Sequence, residues 1–297
     1  MNLLIIAGIL LIILSLVHMQ RQELKKFRVV QYSIPMCETL KEIKKEKSLE
    51  KVCRFVVLAD LHNHSYGKEN ERLLAAIEKA EPDFVVSAGD MLVAKPGRSM
   101  KTAINLIQQL SAKYPVYYGN GNHEYRLRIY PKQYGSMYQQ YKEVLDSCGV
   151  HHLENQKETI KFGNRKINIC GLEIDRKYYK RFDKITMGND YIESEIGKKP
   201  NLFTILIAHN PAYFPQYADW GAELTVSGHV HGGIINLPKL GGVISPQIRL
   251  FPKYDGGLYR AHGKYMILSR GLGTHTIPFR IRNRAELIVV DLIDQKR

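Results

Sequence analysis

Several short apolar runs in this chain stop abruptly at residues that carry a charge or an imidazole. Phe55-Val-Val-Leu-Ala59 leads into Asp60-Leu61-His62, and Phe84-Val-Val-Ser87 into Ala88-Gly89-Asp90. Pro115-Val-Tyr-Tyr118 leads into Gly119-Asn120-Gly121-Asn122-His123-Glu124. Further on, residues 203–208 end in His209-Asn210-Pro211, and residues 223–226 run into Ser227-Gly228-His229-Val230-His231-Gly232-Gly233. Runs of this length, rich in β-branched and aromatic residues, read as buried strands. Amphipathic stretches at 69–80 and 101–110 separate the first three, and a helix is expected from about 132 to 148. Strand alternating with helix argues for an α/β sheet assembled from βαβ units. In such a sheet the carboxyl ends of the strands form the ligand crevice.

Beyond residue 150 the pattern turns to strands, expected at 158–162, 166–170, 203–208, 223–226, 265–268 and 287–292. Residues 175–200 are polar and read as a surface excursion. No internal repeat or low-complexity tract interrupts the chain, and 297 residues suffice for one large α/β domain with a substantial core.

Each charged strand end, taken singly, has an ordinary explanation. A lone Asp-x-His is common in surface turns, a Gly-Asp pair often makes a β-turn or helix cap, and an isolated His-x-His is usually a solvated loop. Their joint occurrence in order, each at a strand end, argues otherwise. Residues two apart on an extended segment point to the same side, so His229 and His231 would face one common point, with the flanking glycines permitting close approach. A mixture of carboxylate, amide and imidazole donors without thiolate suits Mn²⁺, Fe or Zn²⁺. The donors suffice for two divalent ions, which one carboxylate can bridge at about 3.5–4 Å, the spacing used for in-line displacement at phosphorus.

The ordered set Asp-x-His, Gly-Asp, Gly-Asn-His-Glu, a later His and Gly-His-x-His resembles the calcineurin-like metallophosphoesterase family, over essentially residues 51–293. That resemblance implies a metallo-dependent phosphatase fold, in which two mixed β-sheets pack as a sandwich flanked by helices. It further implies one ion held by Asp60, His62 and His231, a second by Asn122, His209 and His229, and Asp90 bridging the two. His123 would sit over the scissile phosphate as a catalytic group, with Glu124 orienting it. A narrower likeness is to membrane-linked bacterial phosphodiesterases and phosphatases of the family, carried by Gly232-Gly-Ile-Ile-Asn-Leu-Pro238 and Gly271-Leu-Gly-Thr-His-Thr-Ile-Pro-Phe-Arg280. The chain departs from that group at His64, an additional imidazole expected to face substrate, and at Ala285, where proline is usual.

The first twenty residues carry no charged side chain, and Leu3 to Val17 reads LLIIAGILLIILSLV. A cleaved signal peptide would call for a basic leader and a small-residue cleavage site, and neither is present. A retained transmembrane helix over 1–20 is therefore expected, followed by a basic linker over 21–50 and the metallophosphoesterase domain over 51–297. Arg21, Lys25, Lys26 and Arg28, with the lysines that follow, place the domain on the cytoplasmic side of the cell membrane as a single-pass protein. The net charge of +14 suits a domain tethered beside an anionic leaflet and acting on an anionic substrate. The basic residues do not form one aromatic-interleaved stripe, which disfavours nucleic acid as partner. Cys37, Cys53, Cys148 and Cys170 are scattered, with no disulfide framework or zinc ribbon.

The function expected is a metal-dependent phosphoesterase, Mn²⁺ being the first choice of cofactor. It would hydrolyse monoester, diester or pyrophosphate bonds of a phosphorylated small-molecule or lipid substrate through metal-activated hydroxide. A nuclease using the same ions and a non-catalytic scaffold of the same fold are the alternatives. Arg280 is expected to contact the substrate phosphate, with Arg126, Arg128, Arg282 and Arg284 as further guanidinium candidates.

Overall fold

The computed structural model describes residues 2–36, 49–180, 185–233, 235–237, 241–244, 251–274, 280 and 282–295. Along the chain come helix α1 (Asn2–Leu24), strands β1 (Phe27–Pro35) and β2 (Leu49–Leu58), α2 (Glu71–Ala80), β3 (Phe84–Ser87), α3 (Lys101–Ser111) and β4 (Val116–Tyr118). Three helices follow, α4 (Asn122–Ile129), α5 (Pro131–Tyr134) and α6 (Met137–Ser147), then β5 (His151–His152), β6 (Gln156–Phe162) and β7 (Arg165–Leu172). The remainder is α7 (Tyr191–Ile196), β8 (Phe203–Ala208), α8 (Phe214–Trp220), β9 (Leu224–Ser227), β10 (Ile235–Leu237), β11 (Gly241–Ile244), β12 (Gly257–Ala261), β13 (Lys264–Leu268) and β14 (Ala285–Gln295).

The strands form two mixed sheets, ordered β1-β14-β2-β3-β4-β5 and β12-β13-β9-β8-β7-β6, with β10 and β11 as a separate hairpin. Residue alternation within each strand builds three hydrophobic layers. Phe55 and Val57 of β2 meet Ile205 and Ile207 of β8 between the sheets. Their neighbours Val56 and Leu58 face the other way, under Leu73 and Ile77 of α2 and Leu106 and Ile107 of α3. On the outer side of the second sheet, Leu206 and Ala208 pack beneath Phe214 and Tyr217 of α8. A sheet covered on both faces needs continuous apolar strands, which is why these runs show little polar alternation.

The structure corrects three expectations. Part of the supposed linker is a strand: β1 pairs in parallel with β14 from Phe27↔Ala285 to Pro35↔Ile293 and forms the sheet edge. Its polar residues face solvent at that edge, so it lacks an apolar run; residues 37–48 of the same expectation lie outside the described residues. The excursion at 175–200 buries Tyr178, Met187, Ile192 and Ile196 against the second sheet. The helix expected over 132–148 divides into α5 and α6 at Gly135, whose φ of 61° interrupts the helix.

At the N-terminus, α1 exposes Ile6, Ile9, Leu10, Leu11, Leu14 and Val17. Among the described residues no helix is long and apolar enough to cross a membrane. The end of α1 docks on the domain. Arg284 holds Glu23 through two contacts of 3.1 Å, and Phe27 meets Tyr66 edge-on at 4.8 Å between ring centres.

Candidate metal centre

The loops after β2, β3, β4, β8 and β9 meet at one end of the sandwich. The first two are joined backbone to backbone: Asp60 N–H donates to Gly89 O at 3.0 Å and His62 N–H to Asp90 O at 3.1 Å. A side chain on Gly89 would collide with the backbone of Gly121, so glycine is what lets the β3 and β4 loops touch; one on Gly228 would strike the Asp60 carboxylate. Asp60, His62, Asp90, His229 and His231 all have positive φ. That left-handed backbone is uncommon outside glycine, although Asp and His tolerate it best. Here it turns the side chains back over the strand ends.

Three groups of ligand atoms cluster within 4.8 Å: Asp60, His62 and His231; Asp90, His209 and His229; and His62, Asp90 and His123. All are buried except the partly exposed His229. His62 Nε2 lies 3.1 Å from His231 Nε2, and His209 Nε2 lies 3.1 Å from Asp90 Oδ2. Asn122, at the start of α4, has its Oδ1 buried without a hydrogen-bond donor. An orphaned acceptor, facing imidazole nitrogens and two buried carboxylates are the donor set a divalent cation requires, so the residues fit the metal that the motifs imply.

Hydrogen bonds assign the imidazole tautomers. His209 Nδ1 lies 2.7 Å from the carbonyl of Ala88, and His231 Nδ1 lies 3.1 Å from that of Gly273. A carbonyl only accepts, so both Nδ1 atoms carry a proton and both Nε2 atoms point into the centre, the atoms a metal would take as ligands. His123 has the opposite arrangement. Ala94 N–H donates to its Nδ1 at 2.8 Å, which leaves the proton of the neutral ring on Nε2. His209 and His231 thus turn Nε2 toward the cluster with Nδ1 protonated, whereas the neutral His123 ring carries its proton on Nε2.

Electrostatics follow from burial. Burial pushes the Asp60 carboxyl up to about 7, with the nearby imidazole of His209 opposing and the carboxylate of Asp90 adding to the rise. Burial acts on Asp90 in the same sense, but the imidazoles of His209, His123 and His62 prevail and hold it well below the usual range. Asp90 also accepts the His123 backbone N–H at 2.7 Å, from the amino end of α4 where the helix dipole favours an anion.

Glu124 does not touch the His123 ring. Its carboxylate accepts from the backbone N–H groups of Asp90, Met91 and Gly121 and from the Tyr118 hydroxyl at 2.8–3.0 Å. Its contacts therefore hold the Asp90 loop and the start of α4, and they act on His123 only through that backbone. Arg280, expected at the substrate phosphate, is buried. It donates to the carbonyls of Gly271, Gly273 and Asn283 at 2.6–3.3 Å, a backbone-bracing position that leaves the side chain no face toward solvent. The His64 ring packs edge-on against Tyr66 near the end of α1 at Leu24, and burial lowers its pKa. Arg128 pairs with Glu173, Arg126 with the Tyr134 hydroxyl, and Arg284 with Glu23.

The calcineurin-like phosphoesterase family matches residues 53–233, more than half of the chain. The chain belongs to this family. With the buried Asp and His cluster, it is a metal-dependent phosphoesterase whose divalent-metal site is of the kind binuclear metallophosphoesterases use. Among its relatives is the uncharacterized metallophosphoesterase YkuE of Bacillus subtilis, 26% identical over 245 residues, covering 80% of this chain and 78% of YkuE. A transmembrane protein with metallophosphoesterase domain from Danio rerio is 27% identical over 241 residues, covering 79% of this chain and 52% of that protein. Among solved structures, the phosphopantetheinyl hydrolase PptH of Mycobacterium tuberculosis aligns with a TM-score of 0.42 at 14% identity, covering 72% of this chain and 87% of PptH.

Two features of the centre lie outside the five motifs that supply its candidate ligands. Gly271 to Gly273 wrap the closed side, Leu272 N–H donating to Ala59 O and Gly273 N–H to Asp60 O. Tyr179, from the polar excursion, sets its ring edge-on against His229 at 5.1 Å between centres. The Gly271–Arg280 stretch is marked by the narrower resemblance but not as a wrap around the centre, and nothing in the spacing around Tyr179 marks it, because both contacts arise from distant pairing of strands and loops.

Proposed function

We propose that this phosphoesterase binds two divalent ions, Mn²⁺ foremost, and hydrolyses a phosphoester or pyrophosphate bond of a small anionic or lipid-borne substrate. One ion would be held by Asp60, His62 and His231, the other by Asn122, His209 and His229, with Asp90 between them. The observation that carries this reading is the division of ring orientations: His209 and His231 anchor Nδ1–H on carbonyls and turn Nε2 to the cluster, while His123 accepts at Nδ1 and presents Nε2–H. Bound ions would supply an activated water and neutralise charge on the phosphoryl oxygens. The chain's own part is to hold the phosphoryl group still and to deliver a proton. Nε2–H of His123 would donate to the departing oxygen, and the Ala94 contact keeps that proton on the correct nitrogen. Glu124 serves by fixing the backbone of Asp90 and Gly121, which sets the distance between bridging carboxylate and proton donor.

Attachment to the cell membrane through α1, with the domain on the cytoplasmic side, forms the second half of the proposal. The exposed apolar side chains of α1 support it, as do the basic residues Arg21, Lys25, Lys26 and Arg28 that follow, and a relative named as a transmembrane protein.

The test is the hydrolysis rate of a chromogenic phosphomonoester and phosphodiester by the full chain in detergent, with Mn²⁺ or with EDTA. Metal-dependent turnover is expected, and the monoester-to-diester ratio then directs the substrate search. Undiminished turnover after exhaustive chelation would sink the metal mechanism. Recovery of the protein in the soluble fraction of lysed cells would sink the membrane attachment.

A further inference from the structure

We propose that Tyr179 is a substrate-contacting residue, its hydroxyl donating to a phosphoryl oxygen on the His209–His229 side of the centre. The inference rests on the phosphoesterase reading and deepens it. The ring of Tyr179 lies 5.1 Å from that of His229 and 6.4 Å from that of His209, so it borders the half of the centre that opens to solvent. The residue is half-buried, and its side chain is within electrostatic reach of Asp90.

The hydroxyl is what singles it out. Buried tyrosines normally hydrogen-bond their O–H, because leaving it unmade is costly. Neighbouring tyrosines follow that rule: Tyr213 donates to Ile185 O at 3.0 Å, Tyr217 to Asn210 O at 2.9 Å and Tyr118 to Glu124 at 2.8 Å. The Tyr179 hydroxyl makes no hydrogen bond to a described residue and is not stranded in the core, so it is open to solvent or to a ligand. A neutral phenol donor beside a cationic centre fits an anionic oxygen.

Its placement is also rigid. Tyr179 closes a 3-10 turn, Arg176–Tyr179, whose start is capped by the Asp175 carboxylate accepting from Lys177 N–H at 3.0 Å. Tyr178, one residue earlier, anchors the turn in the core against Tyr191 and Tyr213. The Tyr178 carbonyl accepts from Asn210 Nδ2 at 3.1 Å. Asn210 follows the ligand His209 directly, so the turn that presents Tyr179 is bound to the loop that presents a ligand. A donor held this way is positioned before substrate arrives, the condition under which one hydrogen bond counts most.

The experiment compares the wild type, Tyr179→Phe and Tyr213→Phe as full chains loaded with Mn²⁺. It measures metal content, melting temperature, KM and kcat on the better chromogenic ester, and the Kd of inorganic phosphate by calorimetry. A charge-assisted hydrogen bond corresponds to roughly a ten- to hundredfold effect on binding. Tyr179→Phe is expected to raise both KM and the phosphate Kd by that factor, with metal content unchanged and kcat within a few-fold. Tyr213→Phe, which loses a structural hydroxyl, should leave the phosphate Kd unchanged. A phosphate Kd within twofold of wild type in Tyr179→Phe would overturn the proposal, as would a loss matched by Tyr213→Phe or by falling metal content. A metal-loaded wild type that neither turns over substrate nor binds phosphate would instead bring down the phosphoesterase reading, and this inference with it.

Discussion

The two halves of the metal centre are made of the same residue types and are built differently. Asp60, His62 and His231 sit in a closed half, at most 6% exposed. Backbone from Gly271 to Gly273 wraps it, and Arg280 binds that wrap by donating to both glycine carbonyls. Gly273 O at once receives Arg280 and the Nδ1–H of His231, so one carbonyl couples the buried guanidinium to a ligand ring. The other half, with Asp90, His209 and His229, opens toward solvent past Tyr179. Outer contacts that fix a ligand ring before metal arrives raise affinity and specify geometry. On the proposed reading, the closed half would retain its ion and the open half would meet substrate.

Replacing Asp90, which lies within ligand reach of His62 in the closed half as well as of His209 and His229, tests this contrast most severely. Asp90→Ala should lower activity by well over the roughly 100-fold that loss of an outer partner costs, and metal analysis should show both halves depleted. A variant that loses only one ion and keeps most of its activity would show that the halves are independent. Next in size is Arg280→Met, which strands the carbonyls of Gly271, Gly273 and Asn283. It should cost about 3 kcal/mol, or roughly 6–12 °C in melting temperature. Metal titration should show the closed half weakened by about 10–100-fold while the other half binds as before; equal weakening of both would remove the distinction.

Gly228→Ala probes the closed half more gently, because its new methyl would press on the Asp60 carboxylate. A decrease in metal affinity smaller than that of Arg280→Met is expected, read by competition with a chelating dye. The smallest effect belongs far from the centre, where Arg54 meets Asp291 at 2.7 Å. Hydrogen bonds from Arg54 hold the Asp291 carboxyl below its usual value. A depressed folded pKa contributes stability that is present above the unfolded value of about 4 and is lost as pH falls through the folded value. Asp291→Asn should therefore melt slightly earlier than wild type at pH 7. That gap should close below about pH 4, with metal affinity unchanged throughout.

Much of the centre is legible in the order of residues. Asp60, His62, Asp90, His209, His229 and His231 are brought together, because each is bonded covalently to a buried strand end and strand ends on one side of a sheet share a crevice. The strands at 84–87 and 203–208 fall where the apolar runs place them. The errors have physical causes as well. Arg280 reads as a phosphate clamp because guanidinium suits phosphate, yet here its donors all go to backbone carbonyls. Edge strand β1 interleaves its apolar residues with Arg28, Gln31 and Ser33, so no continuous apolar run sets it off from the basic segment around it.

Family, the residue types of the metal site and their places at strand ends rest on local pattern and covalent adjacency, so the amino-acid sequence alone was enough to set them. Which nitrogen of each histidine faces the centre, which half is closed and where Tyr179 stands were settled by packing in three dimensions. Those features depend on partners far apart in the chain: His209 and Ala88 are separated by 121 residues, and His231 and Gly273 by 42. A backbone carbonyl has no side-chain signature, so its role in setting a tautomer becomes visible only when the sheets have brought the two segments into contact.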